Sequence, residues 1–445
     1  MSTPEINFLK GHPTHSLLPA KEIASAYEKV LLHTDYKSYE TDPLNQHPLS
    51  YGTDPGNHDT RAAIAGWNDK SFGRSGTDPN CINLTGGASY GFANILASFT
   101  DVGSGITKRA FIVSPCYYLI NGAFIDAGYE GKLTAINETP GQEYEIDLET
   151  LEQDLIKYSE GLELPNGKDI NVSSDPCGRG EAKKYRFIIY IVPTFSNPGG
   201  LTYSVKTRLK LLELARKYDV LVASDDVYEL LDYKNIESTP VPRVVYLDRD
   251  SLPSYTKYGN SISNATFSKL VAPGLRVGWQ ESATPNLVQQ LATSGANKSG
   301  GTPGQLSTFV IKEFITTGKL DEIISKFKTV YKSRSIKLIA CIKKYLPEST
   351  KLFGGDGGYF FWVDINADID HRSIVRKLKQ DYNITLASGD SFEVVGDGRE
   401  WGRNCVRLSL SLLNEQQIED GIRRWGDVLR GEHPQLFKTK EFPTV

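Results

Sequence analysis

Thr266-Phe267-Ser268-Lys269-Leu270-Val271-Ala272-Pro273-Gly274-Leu275-Arg276-Val277-Gly278-Trp279 is the densest signal in the chain. It opens in the last residues of a short apolar run, Asn264 to Phe267, that reads as a buried strand, and it sets one lysine just past the strand's end. Hydroxyls flank that lysine, and an arginine follows seven residues later behind a Pro-Gly turn. Such a lysine suits an amine that forms a Schiff base beside a phosphate-bearing cofactor. Burial and a nearby cation would lower its pKa from about 10.4 toward neutrality, giving a nucleophile and a proton shuttle. Taken alone, the segment describes a solvated lysine after a strand equally well.

Outward from this point, short β-branched runs alternate with amphipathic stretches from about residue 80, the pattern of parallel strands joined by helical crossovers. Cys81 to Leu84, Ala110 to Ser114, Arg186 to Val192, Val220 to Ser224, Arg243 to Leu247 and Asn264 to Phe267 are expected as buried strands. Ser204 to Tyr218 is expected as a helix with Ser204 as its N-cap and Leu209, Leu212, Leu214 and Ala215 toward the sheet. After about residue 305 the character changes: a long helix from Leu320 to about Tyr345, a strand in Gly357 to Asp364, a helix from His371 and a strand at Asn404 to Leu410. The reading is an α/β chain whose large domain, over residues 51–304, holds a mostly parallel sheet flanked by helices. Residues 1–50 and 305–445 form a smaller α+β domain. The polar stretch between Glu160 and Lys184 exceeds ordinary connection lengths and is expected as a surface insertion.

Composition removes several function classes. The 445 residues are 39% hydrophobic and 23% charged, which fits a folded globular chain rather than a disordered one. Lys+Arg number 50 against 54 Asp+Glu, a net charge of -4, and no polybasic run offers a phosphate-tracking stripe, so neither nucleic acid nor a membrane surface is expected as a partner. The five cysteines are scattered without a CxxC pair, and the first twenty residues lack a signal-peptide core; a reducing, cytoplasmic setting is expected. No histidine lies between residues 59 and 370 and no HExxH occurs, so no metal site is expected. Chemistry centred in that span falls to Lys, Tyr, Asp, Ser or Arg unless a flanking histidine folds back. A Walker loop fails as well, because Gly161 to Lys168 has the wrong spacing and Asp169 stands where Ser or Thr must hold magnesium.

Three further segments carry chemistry. Ala223-Ser224-Asp225-Asp226-Val227-Tyr228 closes a strand with a carboxylate, where open α/β sheets bind ligands, although a helix-capping acidic pair has the same form. Asp225 could hold a pyridinium nitrogen protonated, and Tyr228 could donate to a ring oxygen. Leu84-Thr85-Gly86-Gly87-Ala88-Ser89-Tyr90-Gly91-Phe92 is a Gly-rich turn from strand to helix, where free N–H groups and the helix dipole favour a phosphate. Val192-Pro193-Thr194-Phe195-Ser196-Asn197-Pro198-Gly199-Gly200 places an amide at a strand end before a turn, by itself the form of a plain loop.

Together these segments resemble the fold-type I pyridoxal-phosphate enzymes, in particular the class I/II aminotransferases and, within them, the aminoadipate and aromatic branch. The resemblance covers nearly the whole chain. Looser matches are Tyr51-Gly52 with Gly56, Ser114-Pro115 with Tyr117, Gly357-Gly358-Tyr359-Phe360, and Val406-Arg407-Leu408. It implies pyridoxal 5'-phosphate as cofactor, Lys269 as the Schiff-base lysine, Asp225 as the pyridinium partner, and Tyr228 with Asn197 as donors to the ring oxygen. Tyr117 would stack on the ring. Gly87, Ala88, Ser89, Thr266, Ser268 and Arg276 would hold the phosphate, and Tyr51 would reach the phosphate of the neighbouring subunit in a homodimer. Arg407 would clamp the substrate carboxylate by a planar bidentate pair, with Asn197 beside it. Thr266 stands where Ser is usual and Gly199 where Thr is common, and neither change removes a catalytic group. Gly86 takes a position often held by Ser, at the cost of one hydrogen bond to phosphate.

The resemblance therefore implies an aminotransferase that passes an amino group from an L-amino acid, 2-aminoadipate or aromatic, to a 2-oxo acid such as 2-oxoglutarate. A β-lyase or decarboxylase would keep the cofactor and change the bond broken. A ligand-sensing regulator on the same fold would need an attached DNA-binding module, and the match starts too near residue 1 to leave room for one.

Overall fold

Between residues 82 and 282 the apolar runs pair into one seven-stranded sheet. Its order is Ile82–Thr85, Gly278–Ser282, Ser261–Thr266, Val220–Asp225, Phe187–Ile191, Arg109–Ser114 and Leu133–Asn137. Six strands run in one direction, and Gly278–Ser282 alone is antiparallel to both of its neighbours. The computed structural model describes residues 4–295, 297–298 and 304–437.

The central strands are buried on both faces, which is why they read as continuous apolar runs. In Phe187–Ile191 the side chains of Ile188 and Tyr190 enter one core, and those of Phe187, Ile189 and Ile191 enter the other. This is the period-2 alternation of a strand with helices on each side. The crossover helix Val205–Tyr218 is capped by Ser204, whose hydroxyl accepts from the Thr207 amide at 3.3 Å. It packs Leu211, Leu212, Leu214 and Ala215 into the second core. Leu209, expected on that face, is instead 44% exposed, because the buried stripe runs through Leu211 and Leu212.

One expected strand is a helix. Arg243 to Leu247 lies at the start of the helix Val244–Asp250, which follows two prolines and buries Val244 in one core and Val245 and Tyr246 in the other. A short β-branched run has no periodicity that separates a strand from a buried helical turn. Two strands of this sheet carried no expectation: the edge strand Leu133–Asn137, only partly buried, and the antiparallel Gly278–Ser282.

A second sheet orders Lys351–Gly354, Phe360–Asp364, Cys405–Ser409 and Ala387–Ser388, all antiparallel, beneath the helices Lys319–Tyr345 and Glu415–Glu432. The N-terminal strand Ile6–Asn7 pairs in parallel with Ile384–Thr385, so the first residues join the C-terminal part of the chain. The 160–184 insertion carries a small hairpin, Val172–Ser174 with Glu181–Lys183, tied down where buried Lys183 meets Asp219 at 2.6 Å. Among the described residues no helix is long and apolar enough to cross a membrane.

Candidate active site

Parallel strands that share a direction deliver their C-terminal ends to one edge of the sheet, and the catalytic candidates collect there. Val220–Asp225 ends on the carboxylate, Ser261–Thr266 leads to Lys269, and Phe187–Ile191 leads through its loop to Asn197. They border a cleft of about 260 Å³, whose far wall is supplied by Phe360 and Arg407 from the second sheet and by Leu9 to Gly11 from the N-terminus. Tyr117, Tyr228, Ala88, Ser89, Thr266, Ser268 and Arg276 also line it. Of the residues expected to contribute, Tyr51 alone stands apart, 82% exposed and outside the cleft, while Gly87 lies just behind the lining against Arg276.

At one end the chain builds a cradle. Gly87 has φ +102 and caps the helix Ala88–Phe99, so the first amides of that helix are free of helical partners. A Cβ on Gly87 would sit 2.5 Å from Arg276 Nη2, so the guanidinium approaches the turn only because no side chain is there. Arg276 donates to the Gly86 carbonyl at 2.8 Å and reaches Ser268 Oγ at 3.5 Å. Thr266 Oγ1 lies 2.9 Å from Ser268 Oγ and accepts from the Ser268 amide at 3.2 Å. Hydroxyls, free amides and a guanidinium facing one small space are the donor set of a phosphate site.

On the floor, Asp225 Oδ2 accepts from the Tyr190 hydroxyl at 2.8 Å and Oδ1 from Asn264 Nδ2 at 3.3 Å. Burial, with Asp226 adding to it, pushes the Asp225 carboxyl up to about 7, against the opposing pull of Tyr190, Lys269 and Asn264. A cationic ring nitrogen placed beside it would reverse that shift.

Lys269 Nζ donates to the Gly11 carbonyl at 2.7 Å and lies 5.4 Å from the centre of the Tyr359 ring. Burial first, then the Arg407 and Arg276 cations, lower its pKa to about 8, with Asp225 pulling the other way. Arg407 stacks on Phe360, with its guanidinium carbon 4.0 Å from the ring centre. It donates to Asn197 Oδ1 at 3.0 Å and to the Leu9 carbonyl at 2.6 Å. Burial lowers its pKa to about 10, opposed by the neighbouring tyrosines, and among the described residues no carboxylate pairs with it. A buried guanidinium held flat and left without a carboxylate is prepared for one from outside. Burial raises Tyr117 to about 12 and holds Tyr228, whose hydroxyl adjoins Asn197, well above the phenol range, so both are hydrogen-bond donors at neutral pH.

An anion cradle, a carboxylate on the floor and an amine of lowered pKa fit the phosphate, ring nitrogen and aldehyde of pyridoxal phosphate in turn. Sequence reasoning had passed over Tyr190, Asn264, Tyr118 and the Leu9–Gly11 segment. Asn264 did carry a signal, as an amide among the small, hydroxyl-bearing and apolar residues Ser261 to Phe267 that lead to Lys269. Leu9 and Gly11 act through backbone carbonyls, which leave no mark in side-chain identity.

The family description "Aminotransferase class I and II" matches residues 47–424. An uncharacterized protein of Saccharomyces cerevisiae, YER152C, is 42% identical over 97% of this chain and 98% of its own. The 2-aminoadipate transaminase of Thermus thermophilus is 24% identical over 96% of this chain and 90% of its own. Among solved structures, the kynurenine aminotransferase of Pyrococcus horikoshii, crystallised with PMP, superposes with a TM-score of 0.75 at 24% identity, covering 97% of this chain and 92% of that one.

Proposed function

Since the chain belongs to the class I and II aminotransferases and uses pyridoxal 5'-phosphate, we propose that it moves an amino group from an L-amino acid, 2-aminoadipate or aromatic, to a 2-oxo acid such as 2-oxoglutarate. The observation that carries this reading is the pairing of a lysine amine and an uncompensated, ring-stacked arginine across one small cleft. The side-chain range rests on the aromatic walls, Tyr117, Tyr118 and Phe360, and on Lys10 at the rim, which could meet a distal acid.

Each residue then has a task. Arg407 binds the substrate α-carboxylate and, with Asn197, orients it. Lys269 Nζ holds the cofactor covalently and carries the proton taken from the substrate α-carbon, a transfer suited to an amine with a pKa near the working pH. Pyridoxal phosphate, when bound, supplies the electron sink for that carbon. Asp225 holds the ring nitrogen protonated, Tyr228 and Asn197 donate to the ring oxygen, and Tyr117 covers the ring. Gly87, Ala88, Ser89, Thr266, Ser268 and Arg276 hold the phosphate, and Tyr51 of the partner subunit completes it. In this reading residues 51–304 are the cofactor-binding domain, and residues 1–50 with 305–445 the smaller one. The homodimer is supported by the exposed apolar side chains of Leu32, Tyr36, Leu44, Leu49 and Tyr51, clustered in one stretch of chain. A cytoplasmic location is supported by five cysteines that are all free.

The test is an absorbance titration of the purified holoenzyme with a panel of amino acids, followed by product analysis. Conversion of bound cofactor to its aminated form with release of the matching 2-oxo acid is expected, strongest for 2-aminoadipate or aromatic donors. Ammonia with pyruvate, or carbon dioxide, would instead identify a β-lyase or a decarboxylase.

A further inference from the structure

Four polar side chains stand opposite one another across four adjacent strands of the large sheet. Asn83 pairs in register with Gln280, Gln280 with Asn264, and Asn264 with Asp225. Asn83, Gln280 and Asn264 are at most 1% exposed, the three buried amides among the side chains of these strands, whose other buried polar groups are hydroxyls and carboxylates. Burying three amides in a row costs stability unless their hydrogen bonds are made, and mere packing would be served better by leucine.

Their bonds lead to one place. Asn83 Nδ2 donates to Gln280 Oε1 at 2.7 Å, and Gln280 Nε2 donates to the Gly91 carbonyl at 2.7 Å. Asn264 Nδ2 donates both to the Ala88 carbonyl at 2.9 Å and to Asp225 Oδ1 at 3.3 Å. Ala88 and Gly91 form the first turn of the helix whose N-terminus is the phosphate cradle. One amide thus ties the helix start that faces the phosphate to the carboxylate that faces the ring nitrogen. The other oxygen of that carboxylate is held by Tyr190. Gly91 belongs to the same arrangement, since a Cβ there would overlap Asn264 Oδ1.

We propose that Asn264, backed by Gln280 and Asn83, is a positioning residue that fixes the span between the phosphate cradle and Asp225, and so sets the cofactor ring against its carboxylate. The inference rests on the assignment of the cradle and of Asp225 given above. A rigid cofactor anchored at both ends tolerates little change in that span, and misplacement on the ångström scale is costly at a reacting centre.

The experiment uses holoenzyme reconstituted with pyridoxal phosphate labelled with ¹⁵N in the ring, in two single variants, Asn264→Leu and Gly91→Ala, and in Asn264→Ala with and without Gly91→Ala for comparison. Asn264→Leu keeps the branching and heavy-atom count, with somewhat more bulk, and removes both donated bonds. Gly91→Ala leaves Asn264 in the chain but drives it from its place, while alanine favours the helix. In both single variants, borohydride trapping should still mark Lys269, cofactor Kd should rise about tenfold, the scale of one hydrogen bond to a charged group, and the ring-nitrogen resonance should leave its wild-type position. Because both changes act through one amide, the double variant should be no worse than Asn264→Ala alone. A wild-type resonance and Kd in Gly91→Ala, with Lys269 still trapped, would overturn the proposal and leave the aminotransferase assignment standing, even where Asn264→Leu fails to fold. No trapping at Lys269 in the wild-type enzyme would overturn the site assignment itself, and this inference with it.

Discussion

Lys269 shows how much of a residue's chemistry its surroundings decide. An ordinary lysine is charged up to about pH 10.4 and is a poor nucleophile at neutrality. Here burial and two guanidinium groups bring the amine to about 8, which leaves about a quarter of it neutral at pH 7.5. Labelling of Lys269 by an aldehyde reagent in cofactor-free enzyme should therefore show a midpoint near pH 8. Arg407→Leu removes a neighbouring cation, favours the charged amine and should move that midpoint upward; a downward move would contradict the electrostatic account. The sign for stability follows from the same shift. Above pH 8 the folded state releases this proton while the unfolded chain still holds it, so stability rises with pH up to the unfolded lysine's value. Thermal midpoints of cofactor-free wild type should accordingly climb relative to Lys269→Met between about pH 8 and 10. Lys269→Ala should abolish turnover with an unchanged circular dichroism spectrum, since it removes the proposed covalent anchor and proton carrier but one side chain only. Asp225→Asn should keep the cofactor bound and lose activity by at least about a hundredfold, because a neutral amide cannot hold the ring nitrogen protonated; near wild-type turnover would move suspicion to Asp226.

Elements carry a different kind of constraint, shown by the insertion over 160–184. Its hairpin has few apolar side chains to bury, and Lys183 does the anchoring by donating to Asp219 and to the Ile170 carbonyl, with both ions at most 4% exposed. Asp219 caps the helix Val205–Tyr218 in the left-handed region, so the insertion is tied to the point where the chain turns into the strand Val220–Asp225. Burial raises the Asp219 carboxyl, and Lys183 is the main group opposing that rise. Lys183→Ala leaves a buried carboxylate uncompensated and should cost about 3 to 5 kcal/mol in urea denaturation. Replacing exposed Lys206, which pairs with Glu143, should cost less than about 1 kcal/mol. Equal losses in the two variants would remove the anchoring role.

At the scale of the whole molecule the open question is assembly. Tyr51 does not line the cleft of its own subunit and is 82% exposed, an arrangement that makes sense if it serves a neighbour. Tyr51→Phe should weaken cofactor binding by about 1 to 2 kcal/mol, one hydrogen bond to a charged group, with little effect on folding. A mixed dimer of one Tyr51→Phe chain and one Lys269→Ala chain decides whose phosphate the tyrosine meets. If it crosses, both lesions fall in one site, and the other site works at about half the wild-type dimer's activity. If it stays at home, each site carries a lesion and activity falls to that of a single Tyr51→Phe site or below. Sedimentation of the holoenzyme as a monomer at working concentration would end the proposal sooner.

What the sequence by itself determined follows from local rules. Alternation of apolar runs and amphipathic stretches marked the α/β class, and residues at the ends of buried strands, Asp225 and Lys269, were legible because parallel strands carry their ends to a common edge. The helix at Val244–Asp250 was misjudged where the run was too short to show a period. Tertiary structure alone decided the rest. Leu9 and Gly11 meet Arg407 and Lys269 through backbone carbonyls some 260 to 400 positions away in the chain. The row Asn83, Gln280, Asn264 and Asp225 exists only through sheet order, in which strands distant in sequence become neighbours. Side-chain pattern reports the burial of an element, but the partner across a strand pair is set by which strands pair and in what register, and no local interaction encodes that choice.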